Sequence, residues 1–188
     1  NRQLPAMSGT IGKLKTEVMS ERVKLINSEC TVNIIDDFIS PENQSDYLNR
    51  GYDYVIDAID NVKTKASLIA YCKRNKINVI TIGGAGGQTD PTQIQIADLS
   101  KTIQDPLLAK VRSVLRKDYN FSQNPKRKFS IDAIFSTQPL IFPQMTEDCS
   151  ISATMNCANG FGATTMITAT FGFFAVSRVI DKLLKKKS

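Results

Sequence analysis

The stretch Tyr54-Val-Ile-Asp-Ala-Ile-Asp-Asn61 decides the fold. Tyr54 to Ile59 opens as a near-continuous apolar run, the pattern of a strand covered on both faces within a parallel sheet. It gives way at Asp57 and Asp60 to Val62–Asn75, a helix, and then to a second strand, Asn78–Ile82 (Asn-Val-Ile-Thr-Ile). Upstream, Pro41–Arg50 reads as a short helix with Ser40 as N-cap, proline at its first position and Gly51 as its stop. Before it, Cys30–Ile35 alternates as a strand ending at Asp36-Asp37. Thr10–Asn27 reads as an amphipathic helix, with Ile11, Leu14, Val18 and Leu25 on one ridge and Met19, Val23 and Ile26 beside it. Helix and strand alternate three times, so the order predicts β-α-β crossovers and a parallel sheet with helices on both faces.

After Ile82 the rhythm changes. Gly83-Gly84-Ala85-Gly86-Gly87 is a turn-rich break, and Gln93–Ala97 alternates like an exposed antiparallel strand. A basic helix over Pro106–Lys117, a cationic loop over Tyr119–Lys128, a strand over Phe129–Phe135 and an irregular Ser136–Asp148 follow. From Cys149 to Ser177 no residue is charged, and Arg178 leads into a Lys-rich end. Gly160–Ile180 has the length and apolarity to span a bilayer. Its threonines and glycines favour a buried or interface helix instead, with membrane association, and contact of the Lys182–Lys187 tail with acidic lipid, as the alternative.

The 188 residues, 41% of them hydrophobic, suffice for one domain over 1–188. A net charge of +6 favours an anionic partner. The chain has no His, which excludes Ser-His-Asp and Cys-His catalysis and the His-containing zinc motifs within it. The four Cys, at 30, 72, 149 and 157, form no C-x-x-C pair and fit a reducing, cytoplasmic compartment. The chain opens on Asn1 without a signal-peptide pattern and reads like the interior of a longer sequence.

Asp57 and Asp60 stand where ligands bind in open α/β sheets, beyond the carboxyl ends of the strands. Carboxylates there can hold Mg²⁺ against nucleotide phosphates. Equally, Asp60 can cap the helix that begins near Asn61. Gly83–Gly87 lacks the third glycine of a dinucleotide fingerprint, with Thr89 in its place, so close backbone packing is the preferred reading. Lys110, Arg112, Arg116, Lys117, Lys126, Arg127 and Lys128 cluster as a phosphate-contact patch with Tyr119, Phe121 and Phe129 interleaved for base stacking. A solvated basic face with ordinary core aromatics is as good a reading. Cys157 reads as a small buried thiol, and Arg2 and Lys15 carry no signal by themselves.

In order and spacing, Arg2-Gln3, Lys15 and Asp57-x-x-Asp60-Asn61 resemble the adenylating domain of the E1-like (ThiF/MoeB-type) superfamily, which has a Rossmann-like fold. Asp53–Asp60, Ala70–Lys76, Gly83–Gln95, Ser100–Pro106 and Asn159–Phe174 are similar to its tRNA threonylcarbamoyladenosine dehydratase branch. That resemblance implies adenylation of the threonylcarbamoyl carboxylate next to a tRNA anticodon, then ring closure with expulsion of AMP. It places Arg2 and Lys15 on ATP phosphates, Mg²⁺ on Asp60, and Asp57 and Asn61 within the nucleotide site. It further implies a homodimer, a monovalent cation near the Gly-rich turn and a link to a cysteine-desulfurase sulfur-acceptor system. The family's phosphate loop would lie upstream of Asn1, so residues 1–188 by themselves are expected to hold ATP weakly. The alternative is an activator of a ubiquitin-like sulfur carrier, against which the missing C-x-x-C pairs count. A nonenzymatic RNA- or membrane-binding module is the third reading.

Overall fold

Successive residues of the two central strands point into two different cores. In β2 (Val79–Ile82), Val79 enters one and Ile80 the other; in β4 (Asp132–Ser136), Ala133 and Phe135 share the first and Ile134 the second. Both faces of the sheet are therefore covered, as the continuous apolar runs require. A computed structural model describes residue 3, residues 5–142 and residues 162–187. With β1 (Val55–Asp57) and β3 (Ile94–Asp98), the strands form one sheet in the order β1-β2-β4-β3. β1–β2 and β2–β4 are parallel, and β3 is the antiparallel extension on β4.

Among the described residues, five α-helices accompany the sheet: α1 (Lys15–Ile26), α2 (Gln44–Leu48), α3 (Val62–Arg74), α4 (Pro106–Asp118) and α5 (Thr165–Lys187). Leu68, Ile69 and Cys72 of α3 meet Leu108, Val111 and Leu115 of α4 over the first core. Ile167, Phe171 and Ala175 of α5, four residues apart, close the second. α5 is the helix expected after Gly160, shortened at its start and amphipathic. Among the described residues no helix is long and apolar enough to cross a membrane, which corrects the spanning alternative. Arg178 anchors the far end of α5 by donating from Nε to Asp132 Oδ2 at 2.8 Å.

Three expectations are corrected in the first fifty residues. Cys30–Ile35 joins no ladder: β1 pairs with β2 on one edge, and among the described residues nothing pairs with its other edge. The first helix starts at Lys15 rather than Thr10 and is largely solvated; Val18 and Ser20 are its buried residues, while Leu25 is 88% exposed. Its apolar ridge finds no sheet face. At Pro41–Arg50 only Gln44–Leu48 is α-helical. Ser40 Oγ accepts from Glu42 N, and Asn43 Oδ1 accepts the Ser40 N–H in return, so the two side chains cap the turn that leads into the helix.

The antiparallel β3–β4 pair, joined through α4, is locked at one end by Asp98. Ser130, at φ 58°, turns three consecutive N–H groups inward. Phe129 N reaches Asp98 Oδ1 at 2.9 Å, and Ser130 N and Ile131 N reach Oδ2 at 2.7 and 3.3 Å. Burial by itself would raise this carboxyl, but these donors and Ser100 hold it below its ordinary value. A lowered acid stabilises the fold above its unfolded pKa and loses that effect as pH falls through the folded one. Asp98→Asn should therefore melt below the parent at pH 7, and the gap should close as pH falls below about 4. Thermal melts across pH check this; a gap that stays constant would mean the carboxylate charge is not what holds this end of the strand pair.

Candidate functional site

The carboxyl ends of β1, β2 and β4 come together at Asp57, Ile82 and Ser136. The turn after β1 is built around a buried ion pair. Lys65 of α3 and Asp57 sit 2.9 Å apart with both side chains at 0% exposure. Asp57 Oδ2 also accepts from Thr81 Oγ1 at 2.7 Å, across the β1–β2 register, and Oδ1 accepts from Ile59 N at 3.0 Å. Lys65 Nζ donates onward to Ile59 O at 2.9 Å. Burial pulls the Lys65 ammonium below its ordinary value, opposed by Asp57, Asp105 and Asp60. Both Asp57 oxygens are engaged inside the protein, so Asp57 shapes the turn instead of presenting itself to a nucleotide.

Asp60 is the opposite case. It is exposed and makes no hydrogen bond or ion pair among the described residues. The helix cap falls to Asn61, whose Oδ1 accepts from Thr64 N at 3.1 Å. That removes the capping reading of Asp60 and occupies the Asn61 oxygen that the family pattern places in the nucleotide site. The described residues contain no cluster of three or more His, Cys, Asp or Glu suited to a metal. A lone carboxylate on an open turn still fits Mg²⁺, which keeps several waters and binds through one or two carboxylates plus phosphate.

The Gly-rich turn packs tightly, as its sequence suggested. Asp105 caps α4 through Leu108 N at 2.8 Å and receives Gly84 N at 2.9 Å. A Cβ on Gly83 would stand 1.9 Å from Asp105 Oδ2. Burial raises the Asp105 carboxyl, and the N–H groups of Leu108 and Gly84, with Lys65, draw it back. Gly87, at φ 68°, bonds through its N–H to Gly162 O at 3.0 Å and through its O to Ile141 N at 2.8 Å. Gln88, 1% exposed, donates to Gly84 O, while its Oε1 has no hydrogen-bond partner.

Lys15 opens α1 and lines a cleft of about 160 Å³ with Gln3 and Lys13. No hydrogen bond or ion pair joins it to Asp60. Arg2, Cys149 and Cys157 lie outside the described residues. Cys72 is fully buried, and burial pushes its thiol up to about 11. The basic patch divides. Arg112 is half-buried and bonds Thr102 Oγ1; Arg116 lies over the Phe129 ring at 5.3 Å. Lys110, Lys117, Lys126, Arg127 and Lys128 remain exposed. The aromatics are not free for bases: Phe121 packs edge-on against buried Phe129 at 4.9 Å, and Arg74 covers Tyr119.

Sequence reading missed Lys65 and Asp105. Lys65 carried a signal: it shares a helix face with Leu68, Ile69 and Cys72, and a charge on an apolar stripe needs a buried partner. Asp105 stands before Pro106, the pattern of a cap followed by proline at the first helical position.

A three-stranded parallel core, a lone carboxylate beyond its first strand and a tight glycine turn beyond its second define a nucleotide-handling α/β domain. The chain belongs to the ThiF family, whose profile matches residues 1–188. It is 97% identical over 188 residues to the tRNA threonylcarbamoyladenosine dehydratase of Haemophilus influenzae, covering 100% of this chain and 72% of that protein. It superposes on the Escherichia coli tRNA N6-threonylcarbamoyladenosine dehydratase in complex with AMP with a TM-score of 0.88, at 52% identity over 100% of this chain and 71% of that one. For the ATP complex the TM-score is 0.88 at 51% identity, covering 100% and 70%.

Removing Lys65 leaves the Asp57 carboxylate buried without its cation, which costs about 3–5 kcal/mol for a pair of this kind. Lys65→Ala should lower the denaturation midpoint accordingly. Asp57→Asn/Lys65→Met should recover much of the loss. A single variant as stable as the parent would show that the pair does not hold the turn.

Proposed function

We propose that the chain forms most of the adenylating unit of an ATP-dependent tRNA threonylcarbamoyladenosine dehydratase. The observation that carries this reading is the likeness to the Haemophilus enzyme over the whole chain. The nucleotide complexes of the Escherichia coli relative support ATP as the activating substrate. In this reading ATP converts the threonylcarbamoyl carboxylate of the tRNA to an acyl-adenylate, and intramolecular attack closes the ring and releases AMP. The ring closure gains from proximity within one nucleoside, so no Cys or His nucleophile is required.

The division of labour at β1 follows from the geometry. Asp57 and Lys65 fix the turn, and the fixed turn holds Asp60 outward with its oxygens free. Asp60 is the residue that would hold Mg²⁺, and that ion, when bound, would neutralise phosphate charge. Lys15 and Arg2 are the cations assigned to the ATP phosphates by the family pattern. The unpartnered Oε1 of buried Gln88 supports a monovalent cation at the Gly-rich turn. The five exposed cations of the divided patch supply phosphate contacts for tRNA. Apolar side chains left in solvent near the start of the chain, Leu25 at 88% and Phe38 at 92%, support a further protein surface there, as a homodimer would provide.

Asp60→Ala in the full-length protein should cut tRNA-dependent AMP release by about 10²–10³-fold, the range for loss of one group stabilising transition-state charge. Its melting temperature should stay close to the parent's, because Asp60 makes no hydrogen bond or ion pair among the described residues and acts on Lys65 only at a distance. AMP release at the parent rate would remove the metal role from Asp60. Adenylation of a Gly-Gly carrier tail without tRNA would replace the dehydratase by a sulfur-carrier activator.

A further inference from the structure

At the end of the sheet opposite Asp57 and Gly83 lies an open cavity of about 970 Å³, between the starts of β2 and β4, the end of β3 and the last turns of α5. Five cations line it: Lys73 in the last turn of α3 and Lys76 just beyond it, Lys128 from the cationic loop, and Arg178 and Lys182 of α5. Two carboxylates line it as well, but neither answers Lys73, Lys76 or Lys128. Asp98 is filled by the backbone N–H groups of Ser100, Phe129, Ser130 and Ile131. Asp132 is taken by Arg178 at 2.8 Å, with Lys182 at 3.8 Å. Lys73, Lys76 and Lys128 are exposed and have no hydrogen bond or ion pair among the described residues.

The kind of cation left over says what the groove suits. A small anion is recognised by convergent, directional donors such as a bidentate guanidinium or a ring of N–H groups. Here the guanidinium and the N–H groups are already committed to Asp132 and Asp98. What remains is a spread of lysine point charges on flexible stems, which neutralise phosphates without demanding one geometry. That is the chemistry of a polyanion backbone, sequence-independent and salt-sensitive. The strands set this groove on the order of 15 Å from the carboxyl-end site, roughly four to five phosphate steps along one strand of a helical stem.

We propose that this groove is a second RNA-backbone site, holding the tRNA stem while its reactive nucleoside lies at the other pole of the sheet. This rests on the tRNA reading above. It adds Lys73, Lys76 and Lys182 to the contacts and gives Lys128 a place between the two surfaces.

The test uses the full-length protein and unmodified tRNA, so it reads binding without depending on turnover. Lys73→Gln/Lys76→Asn is the variant; position 76 sits at φ 57°, where asparagine is at home. tRNA affinity should fall several-fold at low salt. The slope of log affinity against log salt should become shallower by about 1.4–1.8, for two phosphates at 0.7–0.9 each. The melting temperature should match the parent. Parent-like affinity and slope would overturn the proposal, as would loss of binding to anionic phosphatidylserine vesicles with tRNA binding intact, which would assign the groove to a lipid surface. Failure of the parent to release AMP with threonylcarbamoyladenosine tRNA would instead overturn the dehydratase reading, and leaves this binding result to stand or fall by its own slope.

Discussion

An ammonium and a carboxylate share a space from which water is excluded, and everything at the catalytic pole is referred to them. Lys65 and Asp57 are worth little as a net contribution, since two charges were desolvated to make the pair. Their value is positional. Asp57 bonds a strand neighbour, Thr81, and the N–H of Ile59; Lys65 bonds the carbonyl of Ile59 and rides on α3. Strand, turn and helix are thereby tied at one point. The chain leaving that point carries Asp60 into solvent, while Asn61 starts the helix without calling on it. A loose turn here would let the nearest carboxylate fold back onto the helix N-terminus, which attracts negative charge.

The same logic recurs at lower burial. Asp105 ties the end of β2 to the start of α4, and Asp98 ties the end of β3 to the start of β4. In each case a carboxylate accepts several backbone N–H groups and gives up its availability to outside ligands. Asp57, Asp98 and Asp105 are thus engaged internally, whereas Asp60, at the same end of the sheet as Asp57 and Asp105, is not. Among the cations, Arg112, Arg116 and Arg178 are drawn into contacts with neighbours, while Lys73, Lys76 and Lys128 stay outside. A planar guanidinium profits from fixed partners more than a compact ammonium does.

Much of the fold was legible because it rests on local pattern. The apolar run at Tyr54–Ile59, the helix after it and the strand at Asn78–Ile82 each appear within a residue or two, and the antiparallel Gln93–Ala97 does too. Cys30–Ile35 was not legible as a loop, because its alternation is that of a strand and pairing is decided by a neighbour, not by the segment. At the site, Asp60 and Asp57 looked alike in sequence. Only the motif order, through the family resemblance, favours metal for Asp60 and support of the turn for Asp57; in the structure Asp57 is set apart by burial against a lysine eight residues on, on the inner face of a helix. The aromatics around the basic loop misled for a related reason: spacing shows that rings are near cations, not whether their faces are already covered.

The contact between Gly83 and Asp105 reaches beyond the present sequence. Where Asp105 caps α4, no side chain larger than hydrogen fits at 83; where 83 acquires one, the cap must retreat or change identity. Neither position can drift alone without unseating a helix or a turn. Across descendants of this chain, the two should behave as a single heritable unit, replaced together or not at all.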